Sequence, residues 1–367
     1  MSGTSADGID AALLESDGRQ FRRLGFEGVF PYRFETKTRI WQAMADPIGH
    51  VKDRLAHQQL GRLIAEDHAT AVRALLTKSG LRPNLIGFHG QTIYHNPAGI
   101  ASGATTLDHA TIQLGDAALL AKLTGIDVVY DVRRADIAAG GQGAPLAPVY
   151  HKAVFDSLGT DLPAVLVNIG GVANITFYGG SDELIGFDTG PGNALLDDYM
   201  RRYCEADYDE DGALAASGTA DEQLVDMWMK DVFFSRAWPK SLDRQAFHAC
   251  LEAPQLETMS AADAMASLTL FTGRSIAIAI EQLPTAPRRI MLAGGGRNNR
   301  CLFEILKRLV GSALLAPPDD NGFSGDMLEA ELMGFLAARH FAGLPTSFPN
   351  TTGCARPVCG GRLVRAS

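Results

Sequence analysis

No Cys-x-x-Cys pair and no His-x-x-x-His pair occurs in this chain of 367 residues. Such spacings are the usual mark of zinc and other transition-metal sites, so none is expected here. The cysteines are Cys204, Cys250, Cys301, Cys354 and Cys359, odd in number and scattered. They cannot form a complete disulfide framework, which points to reduced thiols and a cytoplasmic location. Positive charge is also scarce. Lys and Arg number 33 against 42 Asp and Glu, a formal net charge of −9. This balance lacks the footprint of a nucleic-acid partner or a polybasic membrane patch. No signal peptide opens the chain, and no apolar run reads as a membrane span. A Walker A loop is missing, because no Lys-Ser/Thr follows Gly294-Gly295-Gly296. The dinucleotide fingerprint fails as well, since Asn299 stands where its third glycine belongs.

What the chain does have is glycine, 39 residues of it, within a composition that is 46% hydrophobic. Such a chain builds an ordinary core and has the length of two domains. Glycines gather where apolar runs end. Glu183-Leu184-Ile185-Gly186-Phe187 reads as a strand, Asp188-Thr189-Gly190-Pro191-Gly192-Asn193 as a tight loop, and Ala194 to Met200 as a helix. This puts Asp188 at the carboxyl end of a strand, where open α/β sheets hold ligands. A bare helix cap would use the same residues.

Gly3 to Gly8 reads as a turn of small and hydroxyl residues before a strand at 11–15. It can aim backbone N–H groups and hydroxyls at an anion, or it is a plain hairpin. A long helix is expected over 53–79, ended by Gly80. A strand follows at 85–88, with His89, Gly90, Gln91 and Thr92 at its carboxyl end. A helix over 111–124 and a strand over 126–130 come next. The Gly/Pro-rich stretch Gly140 to Pro145 reads as a boundary between halves, followed by a helix at 148–158. Ala164 to Ile169, the turn Gly170 to Asn174, and Ile175 to Tyr178 repeat the strand–turn–strand device of the chain start. Two such turns could hold one polyphosphate. Later come a helix opened by Ser260 with Asp263 and a strand at 289–293. Gly294 to Gly296 follow, bare enough for a base or ribose to lie against. A strand at 313–315 and a helix over 325–341 carrying Asp326, Glu329 and Glu331 close the pattern.

Together these motifs resemble the anhydro-N-acetylmuramic acid kinase family, of the sugar kinase, heat-shock chaperone ATPase and actin superfamily. The matching stretches are MSGTSADGID, GFHGQT, ADIAAGGQGAPL, VNIGGVANIT, GFDTGPGN, LAGGGRNN and LEAELMGFLAAR, in family order from residue 1 to about 340. The resemblance implies an α/β fold of two ribonuclease-H-like (actin-like ATPase) domains with a cleft between them. They would span 1–135 plus about 330–367, and 136–330. It implies conversion of 1,6-anhydro-N-acetylmuramate, with ATP and water, to N-acetylmuramate 6-phosphate in peptidoglycan recycling. Asp188 would be the catalytic base. Gly3, Thr4, Ser5, Asp7, Gly8, Gly170, Gly171, Gly294, Gly295, Gly296 and Asn298 would bind ATP. Arg133, Glu329 and Thr92 would bind the sugar, and Asp7 and Asp10 would hold Mg²⁺ through water. An ion pair with Asp131 or Asp136 is the plain structural alternative for Arg133. A homodimer is compatible with the resemblance.

Two features depart from the family pattern. Asp131-Val132-Arg133 stands where the family has Asp-Phe-Arg. The family also has about seven residues before Met-Ser-Gly-Thr-Ser, forming a first strand, so the natural protein is expected to start upstream of Met1. Competing expectations are a kinase or phosphohydrolase of the same fold acting on another sugar, and a non-catalytic sensor of cell-wall fragments.

Overall fold

A computed structural model describes residues 1, 2, 6, 8–96, 110–181, 183–313 and 327–366. The chain divides into two compact units, Met1–Ala153 with Met327–Ser367, and Val154–Asp326.

In the first unit, β1 (Ile9–Ser16) and β2 (Phe21–Phe30) form an antiparallel pair. A separate sheet has β3 (Leu85–Gly87) parallel to β6 (Asp127–Tyr130), with β11 (Arg362–Val364) antiparallel on the other side of β6. β4 (Gln91–Asn96) pairs antiparallel with β5 (Ala110–Leu114). The helix Arg54–Ser79 begins where the Asp53 carboxylate accepts the N–H groups of Leu55 and Ala56. It ends at Gly80, which adopts φ 67°. That left-handed turn suits glycine. Its Leu60, Ile64 and Leu75 are buried.

The helix expected over 111–124 is shorter than the sequence pattern suggests. Residues 110–114 are β5, and only Ala117–Thr124 is helical, opened by the Asp116 side chain accepting from Leu119 N. The alternation of Thr111, Ile112, Gln113 and Leu114 was the strand signal, and pairing with β4 realises it.

Residues 136–153, placed in the second domain from the sequence, belong to the first unit. The buried Asp136 carboxylate is the reason. It accepts the Gly143 N–H at 2.7 Å, the Thr352 hydroxyl at 2.6 Å and the Ser347 hydroxyl at 2.5 Å. Segment 136–143 is thereby fastened to the C-terminal stretch.

The helix Leu328–Phe341 packs on both β1 and β3. Its Glu331 is buried and takes the Arg23 Nη2–H at 2.8 Å and the Tyr150 hydroxyl at 2.7 Å. A cleft of about 780 Å³, partly open to solvent, is lined by β1, by β3 and by the small residues Ala330, Gly334 and Ala338 of this helix. Among the described strands β1 pairs only with β2, and β3 only with β6. Of the expected strand at 313–315, residues 314 and 315 lie outside the described residues, and Ala313 ends the 3₁₀ turn Gly311–Ala313.

The second unit is built on one four-stranded sheet in the order β10–β7–β8–β9. β7 (Ala164–Ile169), β8 (Val172–Gly180) and β9 (Glu183–Pro191) run antiparallel in sequence, and β10 (Arg289–Ala293) lies parallel to β7. An antiparallel meander with a fourth strand parallel to its first agrees with the ribonuclease-H-like α/β expectation. The helix Ala261–Glu281 is long and apolar enough to pass for a membrane span by composition, but most of it is buried in this unit. Leu268, Phe271 and Ile276 are among its fully buried residues. Its cap is half of a capping box. Ser260 Oγ accepts the Asp263 N–H, while the Asp263 carboxylate accepts the Thr219 N–H instead.

Candidate active site

Asp188 lies inside a strand rather than after one. β9 continues to Pro191, and Asp188 pairs with Asn174 while Gly190 pairs with Ala173. Thr189 is therefore the extra residue of a β-bulge, and its hydroxyl donates to Ala173 O at 3.1 Å. A bulge re-aims the side chain beside it. The Asp188 side chain keeps partial access to solvent between the buried Phe187 and Thr189. Its Oδ2 accepts the Leu242 N–H at 2.7 Å, and its own N–H donates to Lys240 O at 2.9 Å. The surrounding protein pushes its carboxyl up to about 7, against the pull of the Leu242 N–H. A carboxylate with that affinity can take and release a proton near neutrality.

The glycines around it separate into two kinds. Gly192 N donates to Gly171 O at 3.0 Å, Asn193 N to Gly170 O at 2.7 Å and Ala194 N to Gly171 O at 3.1 Å. A Cβ on Gly192 would stand 2.2 Å from Gly170 O, and one on Gly190 would stand 2.6 Å from Ser275 Cβ. Gly294, at φ 75°, would place a Cβ 2.6 Å from Ile169 O, and Gly296 one 2.3 Å from Ile169 Cγ2. These four are glycine because the protein's own atoms fill the space. Gly171 and Gly295 differ: both are exposed, and a Cβ would meet nothing closer than 3.6 Å and 3.8 Å. With half-buried Gly170 and exposed Asn298 they offer bare backbone to a ligand. The run Gly295–Asn298 is a 3₁₀ turn, and the helix proper starts at Arg300 with Asn299 Oδ1 accepting from Leu302 N.

In the first unit the group of interest is Arg133. It pairs with neither Asp131 nor Asp136. Asp131 faces Arg134 at 3.5 Å and Arg362 at 4.0 Å, and Asp136 is engaged as described. Arg133 donates from Nη1 to Gly143 O at 2.7 Å, and from Nε and Nη2 to His89 Nε2 at 3.2 and 3.0 Å. His89 Nδ1 lies 2.9 Å from Gly90 O, which fixes the proton on Nδ1 and leaves Nε2 as the acceptor. Burial and the Arg133 charge hold the His89 imidazole well below its usual range, so it stays neutral. Three of the five guanidinium N–H groups are thus used, and among the described residues no carboxylate pairs with it. An anion is the natural partner of the other two.

Glu329 opens the helix Leu328–Phe341 and retains access to solvent. The protein around it raises its carboxyl, Asp10 adds to the rise, and Arg133 opposes it. Asp10, Arg133 and Glu329 are therefore gathered in one place. Thr92 is half-buried on β4, its hydroxyl accepting from Gln113 Nε2 at 3.2 Å. Gly8 is buried close to Phe30 O on β2. Met1 and Asp10 exchange backbone hydrogen bonds at 2.9 and 2.8 Å. Gly3, Thr4, Ser5 and Asp7 lie outside the described residues. A hydrated Mg²⁺ suits a site with Asp10 and few other protein ligands; among the described residues no cluster of three metal-binding side chains occurs.

Sequence reasoning missed the segment Lys240–Leu242, whose contribution to Asp188 is two backbone groups without a residue-type signal. The support that His89, in the loop after β3, gives to Arg133 likewise carries no signal in the sequence.

The family model described as "Anhydro-N-acetylmuramic acid kinase" matches residues 1–366. A relative of that name from Bradyrhizobium diazoefficiens is 42% identical over 372 residues, covering 100% of this chain and 98% of its own. One from Acidiphilium cryptum is 44% identical over 365 residues, covering 100% and 97%. One from Rhodospirillum rubrum is 42% identical over 362 residues, covering 98% and 92%. Among solved structures, a ROK family glucokinase from Streptomyces griseus is 11% identical, over 90% of this chain and 95% of that one, at TM-score 0.36, too distant to bear on the site. On the full-length match and these identities, the chain belongs to the anhydro-N-acetylmuramic acid kinase family.

Proposed function

We propose that this chain phosphorylates 1,6-anhydro-N-acetylmuramate with ATP while water opens the anhydro bridge, giving N-acetylmuramate 6-phosphate and ADP. This places it in the cytoplasm, in peptidoglycan recycling and amino sugar catabolism. The observation that carries the reading is Asp188, a partly accessible carboxyl pushed up to about 7 and aimed by a backbone N–H, in a chain of this family.

Asp188 takes a proton from the water whose oxygen bonds to carbon 1. The bond from carbon 1 to the bridging oxygen breaks, and its electron pair stays on that oxygen, which becomes the 6-oxygen. That oxygen bonds to the γ-phosphorus, the bond from phosphorus to the β,γ-bridging oxygen breaks, and ADP leaves with the pair. Asp188 then returns its proton to solvent. Exposed backbone at Gly171 and Gly295, with half-buried Gly170 and with Asn298, supports ATP from the second unit. Gly3, Thr4, Ser5, Asp7 and Gly8 are assigned to its phosphates, and Gly294 and Gly296 shape the nucleoside turn from beneath. Asp10, with Asp7, would hold Mg²⁺ through water, and the ion would supply charge neutralisation on the phosphates. The two free N–H groups of Arg133 suit the lactyl carboxylate of the sugar, and Glu329 and Thr92 suit its hydroxyl and amide groups.

The test is an assay of purified protein with ATP, Mg²⁺ and the anhydro sugar in ¹⁸O-water. The reading expects ADP release matched to sugar phosphate, with the label on carbon 1. Label in inorganic phosphate, without sugar phosphate, would make the chain a phosphohydrolase instead.

A further inference from the structure

Lys240 is a cation buried to 6% exposure with no carboxylate partner among the described residues. Its Nζ donates to Phe233 O at 3.2 Å and to Gln282 Oε1 at 3.3 Å. The ammonium also lies over the faces of Phe233, at 4.8 Å, and Phe187, at 5.5 Å. Phe233 belongs to the short helix Val232–Ser235, Gln282 caps the helix Ala261–Glu281, and Phe187 is the residue before Asp188. Gln282 is itself fixed, its Nε2 donating to Phe234 O at 2.6 Å. Burying an ammonium is costly unless its hydrogen bonds are met. A methionine would fill the same space without that cost, so packing alone gives no reason for a lysine here.

The residue's own backbone supplies a reason. Lys240 O receives the Asp188 N–H, and two residues on, the Leu242 N–H holds Asp188 Oδ2. We propose that Lys240 is a positioning residue for the reaction: its pinned ammonium fixes segment 240–242, and that segment aims the Asp188 carboxylate. This rests on Asp188 being the base.

The charged groups near Asp188 leave that segment as the main lever on it. The Lys240 ammonium faces Phe187 and Phe233, and Arg236 bears on it from the same loop. Arg244, on the other side of Leu242, lies 3.0 Å from Asp198 Oδ1 and beside Gly171. Across β8 the partner of Asp188 is the neutral Asn174. Burial and the Leu242 N–H are the two influences on the Asp188 proton, and they oppose each other. Slackening the N–H leaves burial less opposed, so the carboxyl should hold its proton to higher pH.

The experiment compares the pH profile of kcat for the parent, Lys240→Met, Lys240→Arg and Gln282→Met, with Asp188→Asn as control. In Lys240→Met we expect kcat at pH 7 to fall about tenfold, the acid limb to move up by about half a pH unit or more, and both KM values to stay within about threefold. Lys240→Arg should recover part of the shift. Gln282→Met, which removes one anchor, should move the limb the same way if Lys240→Met does not fold. An unmoved acid limb in the folded variants, whatever happens to the melting temperature, overturns the proposal, as does a change confined to KM. If Asp188→Asn retains the parent rate, the underlying assignment of the base is what fails.

Discussion

Asp188 is the residue we propose as the base, and its surroundings set opposing demands. Removing its charge with little change of shape, as in Asp188→Asn, should lower kcat by ~10²–10⁴-fold, the usual loss for a general base. ATP affinity should persist, and equilibrium binding of a labelled nucleotide checks that. The raised affinity also predicts a pH profile. The base works only when deprotonated, so kcat should fall as pH drops through about 7. Linkage gives stability the opposite trend. The folded carboxyl holds a proton that the unfolded chain releases near 3.8, so this group's contribution to stability declines as pH rises from there to about 7. Urea midpoints of the parent and Asp188→Asn across that range should diverge in that direction.

Arg133 depends on shape as much as charge. Its fork is fixed by His89 and Gly143 O, and a lysine cannot reproduce two parallel N–H groups. Arg133→Lys should raise KM for the sugar roughly 10–100-fold, the worth of a charged hydrogen bond, with KM for ATP little changed. Initial-rate kinetics with each substrate varied in turn decides it.

At the scale of elements, the end of β9 and the turn after it, Gly190 to Asn193, carry the most constraint. Gly192→Ala would bring a Cβ to 2.2 Å from Gly170 O. Either the Gly170–Gly171 turn or the end of β9 must move, and both bear on the site. We expect a fold retained in the far-ultraviolet spectrum but activity reduced at least tenfold, because small displacements of positioned groups are that costly.

This stretch also marks how much the sequence disclosed. Asp188, its flanking glycines and the helix after them were legible from an acid set among small residues. That Asp188 sits within a strand, beside a bulge at Thr189, was not, since a bulge depends on the register of β8 and β9. β5 was misread because Thr111 to Leu114 can join a helix pattern until β4 is there to pair with it. β2, β4 and β11 were not read at all; each is fixed by a partner strand rather than by its own run of residues. The long helices, with Asp53 and Ser260 before them and Gly80 after, carried local signals strong enough to read directly.

At the scale of the whole molecule, the two units are held by different means. The second has a continuous four-stranded sheet around buried aromatics such as Phe187 and Phe271. The first has its described strands divided among three small sheets, joined by helices and by polar anchors at Asp136 and Glu331. Polar residues spaced far apart in the chain made those anchors invisible in the sequence. Asp136 meets Ser347 and Thr352, and Glu331 meets Arg23.

The cleft lined by β1, β3 and Ala338 turns this difference into a matter of volume. Protein interiors are otherwise close-packed, and this cleft of about 780 Å³, partly open to solvent, leaves the walls of the first unit short of contacting atoms. Whatever part of the cleft excludes water is lost on unfolding, and hydrostatic pressure favours whichever state is smaller. The first unit should therefore give way to pressure at lower values than the second, with intrinsic fluorescence of Trp41 reporting one unit and of Trp228 and Trp238 the other. Filling part of the space with Ala338→Leu should shift the first transition to higher pressure and raise its melting temperature by about 2–6 °C. Transitions that coincide and ignore the substitution would mean the space does not govern how this protein yields, whereas a separation would make compression a way to loosen one half of a kinase while the other stays folded.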